Sequence, residues 1–111
     1  MTQDNQVMND NFKIIYKILS IFEKSLDIED FDLETISAKR LEISEVRRRK
    51  YLEMLLEADY ISGITIQEDI GGFDIIAENP RITLKGLEYL SENSIMQRMY
   101  KTAKGIKDIV K

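Results

Sequence analysis

The chain has 111 residues, of which 43% are hydrophobic and 32% charged, and this is the size and composition of one globular domain. It contains no cysteine and no histidine. Disulfides, zinc-finger sites and Ser-His or Cys-His nucleophile pairs are therefore excluded.

The first eleven residues are polar and lack the basic start and apolar run of a signal peptide. No apolar stretch reaches about 18 residues, the length that predicts a membrane span. We therefore expect a cytoplasmic protein without a membrane span, in which residues 1–10 form a flexible N-terminus.

The basic residues are concentrated in two segments of a chain whose net charge is -4. Residues 35–58 carry six basic and four acidic side chains, and residues 94–111 carry five basic and one acidic. The segments 1–34 and 59–93 each have a net charge of -5. This distribution predicts an acidic body with two positive segments, and the overall acidity argues weakly against nucleic-acid binding.

Apolar residues recur at helical spacing in the first half of the chain. They predict a first helix over residues 11–23, capped by Asn9 or Asp10 and apolar over more than half of its circumference. Residues 25–32 suit a loop that contributes a short strand. A second helix is expected over residues 33–40 after an Asp32 cap, and a third over residues 45–58 with Ser44 as its N-cap.

After Asp59 the period changes from helical to alternating, which predicts two strands of a hairpin around a loop at residues 67–72. Pro80 is expected to end the second strand, because proline donates no ladder hydrogen bond. Thr83 then caps a fourth helix over residues 84–92, and a final helix is predicted from Ile95 to about Val110.

This order of elements predicts an α+β, mainly α fold: a winged helix over residues 11–93, followed by a basic amphipathic helix over residues 94–111. Four segments carry a narrower resemblance: Ala58-Asp59-Tyr60-Ile61, Leu84 to Leu90, Tyr100-Lys101-Thr102 and Ile106-Lys107-Asp108. They resemble the YjcQ-like family of small winged-helix proteins from Gram-positive bacteria and their prophages, over most of residues 12–110. The chain departs from that family's pattern by having Asp59 in place of glycine and a longer wing. The resemblance implies the fold but no activity.

The run Arg47-Arg48-Arg49-Lys50 is the sharpest functional signal, because it opens the helix that winged-helix proteins place in the major groove of DNA. Four consecutive residues cannot share one helix face. Arg48 is expected on the core side, with its stem packed and its charged end in water. The predicted nucleic-acid-binding residues are the outward-facing members of the run and two cations of the second helix: Arg47, Arg49, Lys50, Lys39 and Arg40.

These residues predict a DNA-binding winged-helix protein, with double-stranded DNA as partner and a role as a transcriptional regulator. The family resemblance implies that this regulator is bacterial or from a prophage. One alternative is that the arginines form a solvated face paired with glutamates of the same helix. The predicted wing tip contains Glu68 and Asp69, which would repel DNA or must point away from it. A second hypothesis is therefore a protein-protein interaction module on the same scaffold that does not bind DNA.

The predicted C-terminal helix has an apolar seam with alternating three- and four-residue steps. Its members are candidate interface residues: Met96, Met99, Ala103, Ile106 and Val110. Three uses remain open, namely docking onto the first helix, pairing in a homodimer, or contact with an anionic surface.

Two other patterns do not predict a site. Gly71-Gly72 lacks the spacing of a phosphate-binding loop and precedes a strand, so we expect a turn there. The acidic residues between Asp27 and Glu34 lack the ligand spacing and glycine of a calcium loop. With no nucleophile-base pair, cofactor motif or metal cluster, the sequence predicts neither a cofactor nor an enzyme.

Overall fold

The computed structural model describes the backbone of residues 2–93 and the side chains of residues 11–93. Within these residues the fold is α+β and mainly helical, with one two-stranded antiparallel sheet. In chain order the elements are α1 (Thr2–Lys24), two 3-10 helices (Ser25–Asp27 and Leu33–Ile36), α2 (Ala38–Leu41), α3 (Glu45–Glu57), β1 (Ile61–Asp69), β2 (Gly72–Ile82) and α4 (Leu84–Glu92). This order is consistent with a winged helix.

The first helix begins earlier than its sequence pattern predicts. α1 starts at Thr2, so Asn9 and Asp10 lie inside the helix and the predicted cap at these residues is wrong. The backbone of residues 2–10 belongs to this helix. No proline or glycine interrupts the segment before Asn11, and a helix continues until a residue breaks or caps it.

The segment between α1 and α3 contains a broken helix where one continuous helix was expected. Asp32 caps the 3-10 helix by accepting a hydrogen bond from the Glu34 amide at 3.0 Å. Ser37 then caps α2, with its hydroxyl oxygen accepting from the Arg40 amide at 3.1 Å. Because Ser37 in the middle of the segment caps a new helix, the expected helix over residues 33–40 is divided into a 3-10 helix and α2. The expected short strand before Asp32 is absent from the sheet, and Ser25–Asp27 forms a 3-10 turn instead.

The caps predicted at Ser44 and Thr83 are both confirmed. The Ser44 hydroxyl accepts from the Arg47 amide at 3.0 Å, and the Thr83 hydroxyl accepts from the Gly86 amide at 3.0 Å. Thr83 also donates to the Asp59 carbonyl oxygen at 2.6 Å, which joins the start of α4 to the segment between α3 and β1.

The hairpin has longer strands and a tighter turn than predicted. Asp69 pairs with Gly72, so only two residues connect the strands, and β2 continues through Pro80 to Ile82. The register shifts between Ser62 and Ile64, where Gly63 has a φ of 84°. Pro80 lies in this bulge, where the ladder does not require its missing N–H, and therefore it does not end the strand.

The core lies where α1, α3 and the hairpin meet. Its fully buried members include Ile18, Leu19 and Phe22 of α1 together with Leu52 of α3 and Ile61 of β1. α4 closes one side of this core by packing on α1 and β2. The centroid of the Tyr89 ring of α4 lies 5.1 Å from that of the Tyr60 ring. The pKa of Tyr89 is raised mainly by burial and to a smaller extent by the charges of Tyr60 and Tyr16.

We expect Gly63→Ala to destabilise the fold by at least about 2 kcal/mol, because residue 63 has a positive φ and is crowded by backbone. A Cβ there would lie 2.5 Å from the Asn79 carbonyl oxygen and 2.7 Å from the Pro80 Cα. Urea unfolding measures the change. Gly71→Ala is the control, since its Cβ would meet only Asp69 Oδ1 at 3.9 Å. Equal losses in the two variants would contradict this account of the bulge.

Candidate nucleic-acid interface

The rotation of α3 about its own axis decides where each cation of the basic run points. Tyr51, Leu52 and Leu55 are buried and fix the face of α3 that meets the core. Successive residues of an α-helix are about 100° apart. The side chains of the four cations that precede Tyr51, residues 47–50, therefore point in four different directions.

Arg48 lies on the core side of α3, as the spacing predicts, and most of its side chain is covered. Its side chain is only 12% exposed. Nε donates a hydrogen bond of 2.7 Å to the carbonyl oxygen of Ile36, and Nη1 lies 3.5 Å from Glu45 Oε1. Ile36 is fully buried, so Arg48 supplies the donor that its carbonyl group needs. This side chain is structural.

Arg49 turns towards the hairpin, and the expectation that it faces outward is wrong. Its side chain is 20% exposed, and Nη1 lies 2.9 Å from Glu68 Oε2. The guanidinium carbon lies 4.8 Å from the centroid of the Phe73 ring, and the buried Nε has no hydrogen-bond partner among the described residues. Glu68, which was expected to repel DNA or to point away from it, forms an ion pair with Arg49.

Arg47 is exposed but points towards α1. Its Nη1 donates to Asn11 Oδ1 at 2.8 Å and to the Tyr51 hydroxyl oxygen at 3.1 Å. The Tyr51 hydroxyl itself donates to Asn11 Oδ1, so the three side chains form one small network. The network holds one end of the guanidinium in a fixed place on the α1 side of α3.

Lys50 is the member of the run that points away from the core. A count of 100° steps places Val46, Glu53 and Glu57 on the same outward face. This face carries one cation and two carboxylates. Lys39 and Arg40, in the last turn of α2, are also exposed, and neither they nor Lys50 form an ion pair among residues 11–93. Of the four cations in the run, Arg47 and Lys50 are therefore exposed, whereas Arg48 and Arg49 are largely covered.

The hairpin tip presents acidic groups and one apolar side chain. Glu68 and Asp69 are exposed, and the Asp69 carboxylate accepts from the Gly71 amide at 3.0 Å, which stabilises the turn. Ile70 is fully exposed. Over residues 11–93 the chain carries 11 basic and 17 acidic side chains, a net charge of -6. The predicted contact surface for DNA lies on a negatively charged body.

A groove between α1 and α3 was not predicted from the sequence. Its volume is about 670 Å³, and its polar lining includes Asn11, Arg47 and Lys50. Its apolar lining consists of Phe12, Ile15, Val46 and Met54. Phe12 of α1 lines this groove with 45% of its surface exposed. The apolar Val46 beside the basic run was the signal that could have indicated this groove.

The remaining predicted sites can be located in part. The candidate interface residues lie outside the described residues: Met96, Met99, Ala103, Ile106 and Val110. Between residues 11 and 93, no three acidic side chains come together in a group that could hold a metal ion. None of the helices in the described part of the chain is both long enough and apolar enough to cross a membrane.

The fold and this surface define a small, mainly helical α+β protein with a hairpin packed beside its third helix. Residues 16–109 match the family described as YjcQ protein. Since the match covers most of the chain, the protein belongs to this family, and the family predicted from the sequence is confirmed. No curated protein and no solved structure matches the chain.

We expect Arg48→Met to destabilise the fold by about 1–3 kcal/mol, because it keeps the packed stem but leaves the buried Ile36 carbonyl group without a donor. Lys50→Met is the matched control, and we expect it to change stability by less than about 0.5 kcal/mol, because Lys50 is exposed. Urea unfolding of both variants is the measurement. If Arg48→Met loses no more stability than the small change expected of the control, Arg48 has no structural role.

Proposed function

We propose that this chain is a winged-helix module that binds another protein, and not a DNA-reading regulator. The outward face of α3 carries the proposal. In a DNA-binding winged helix this face enters the major groove, but here it presents Val46, Lys50, Glu53 and Glu57. An apolar residue and side chains of both signs suit a protein surface better than a row of phosphates.

The electrostatics of the described residues support the same choice. Contacts to the phosphate backbone supply most of the affinity of non-specific DNA binding, and they require cations at the surface. Of the three arginines in the basic run, Arg48 and Arg49 are engaged with Glu45 and Glu68 respectively. The excess of six carboxylates over cations in residues 11–93 further opposes approach to DNA.

A binding role is also favoured over catalysis. The sequence has no histidine or cysteine, so the common nucleophile-base pairs cannot be built. The acidic residues carry no ligand spacing that predicts a metal. We therefore propose a binding protein without enzymatic activity.

The proposal can be tested by crosslinking in the native host. A photo-crosslinking amino acid replaces Lys50 for this purpose. Lys50 lies on the outward face of α3, so a bound partner there will be captured. We expect an adduct that protease destroys and nuclease leaves intact. The same probe in place of Lys85, which is exposed on α4, is the control. An adduct at position 50 that nuclease removes would overturn the proposal.

DNA binding is the second candidate, and three exposed cations favour it. Lys39 and Arg40 lie in α2 just before the turn to α3, and Lys50 lies in the second turn of α3. None of the three is paired among residues 11–93. In a helix-turn-helix protein this region contacts the DNA backbone. These residues, together with Arg47 and Arg49, are the nucleic-acid-binding set predicted from the sequence.

Titration of a random-sequence duplex, followed by fluorescence anisotropy between about 50 and 200 mM salt, separates the two candidates. We expect the wild-type chain to bind no more tightly than about 100 μM at the upper salt concentration, the weak end of non-specific binding. We expect Glu68→Gln, which removes the ion pair with Arg49, to change this DNA affinity little. Micromolar or tighter binding with a steep salt dependence, lost in a Lys39→Ala, Arg40→Ala, Lys50→Ala triple variant, would favour DNA binding.

A further inference from the structure

We infer that the groove between α1 and α3 is the docking site for an acidic, amphipathic helix of a partner protein. This inference rests on the proposed function and names the surface and the partner chemistry that serve it. Two features of the groove carry it, namely its exposed apolar lining and the sign of the charges at its edge.

The apolar lining is the first feature. Phe12, Val46 and Met54 are 45%, 51% and 50% exposed, and all three line this one groove. The other large apolar side chains that are exposed in the described residues lie elsewhere: Leu26, Ile28, Ile70, Ile76 and Leu84. Single exposed apolar residues are ordinary, whereas several in one concave surface mark an interaction site.

The shape of the groove favours a helix as its occupant. The walls are two helices, and the volume of about 670 Å³ is partly open to solvent. An amphipathic helix binds such a groove by inserting apolar side chains that recur every three or four residues. A short stretch of helix therefore matches the lining of Phe12, Ile15, Val46 and Met54.

The charges at the edge are the second feature, and they give the partner its sign. Among residues 11–93, the charged side chains that line the groove are those of Arg47 and Lys50. Asn11 and the Tyr51 hydroxyl bind Nη1 of Arg47, so the guanidinium is already held in position. A donor that is fixed before binding loses less conformational entropy when it meets a carboxylate. Acidic side chains beside the apolar ones of the incoming helix complete the match.

The chain's own C-terminal segment is the wrong sign for this groove. Residues 94–111 contain an apolar seam, but they carry five basic side chains and one acidic side chain. Docking that segment against Arg47 and Lys50 would place like charges together. Charge complementarity therefore favours a partner protein over this segment.

The inference can be tested by selecting peptides that bind the full-length protein. The displayed library would contain random peptides of about 16 residues, roughly four helical turns. We expect the selected peptides to combine Asp or Glu with apolar residues at helical spacing. Their affinity should fall at least about tenfold in Met54→Glu, which removes apolar contact, and in Lys50→Glu, which reverses the charge. Leu84→Glu is the matched control, because Leu84 is an exposed apolar residue outside the groove, and it should leave the affinity unchanged.

Both groove positions are exposed, and thermal unfolding verifies that the variants remain folded. Failure to select peptides, selection of basic peptides, or acidic peptides that bind the groove variants normally would each overturn the inference. Two further results would do so by identifying another occupant. A wild-type dimer that Met54→Glu converts to a monomer in analytical ultracentrifugation would assign the groove to a second copy. Faster tryptic cleavage within residues 94–111 in Met54→Glu would assign it to the C-terminal segment.

The crosslinking experiment at position 50 separates this inference from the proposed function. Suppose that position 50 gives a protein adduct but that the groove variants bind the selected peptides as tightly as the wild type. The proposed function would then stand, and the docking site would be ruled out. A nuclease-sensitive adduct at position 50 would remove both.

Discussion

The burial of Tyr51, Leu52 and Leu55 is the constraint on which the surface of this protein depends. These three side chains attach α3 to the core, and an α-helix that is held on one face has no freedom to rotate. Every other residue of α3 is then assigned a direction by its position in the chain. The basic run precedes this anchor directly, so its members are divided between α1, the core, the hairpin and solvent.

The hairpin completes this division by bringing a carboxylate to Arg49. The bulge at Gly63 interrupts the ladder, and bulges bend and twist the strand that contains them. Glu68, near the tip, lies 2.9 Å from the guanidinium of Arg49 while Phe73 covers its face. A hairpin with lysine or arginine at position 68 would have left Arg49 free and added a cation beside it. The acidic tip thus changes α3 from a basic surface into a mixed one.

The same rotation of α3 produces the groove beside α1. With Arg47 directed towards Asn11, the apolar Val46 and Met54 are left at the surface next to Phe12. The features that weaken the case for DNA and those that favour a protein partner therefore have one physical origin. A change in the packing of α3 would alter both together, whereas substitutions at exposed groove positions alter only the second.

Local signals determined much of this fold from the sequence: the caps at Ser44 and Thr83, the order of helices and hairpin, the family, and the core position of Arg48. The caps and the position of Arg48 depend on residues within a few positions of one another, where spacing alone predicts contact. The order of elements and the family follow from several such local patterns taken in sequence. Tertiary structure decided the bulge that accommodates Pro80, the pairing of Arg49 with Glu68, and the contact of Arg47 with Asn11 across 36 positions. No periodic pattern encodes such contacts, because they depend on how packed elements meet in space, and that geometry determined which cations remained available for a partner.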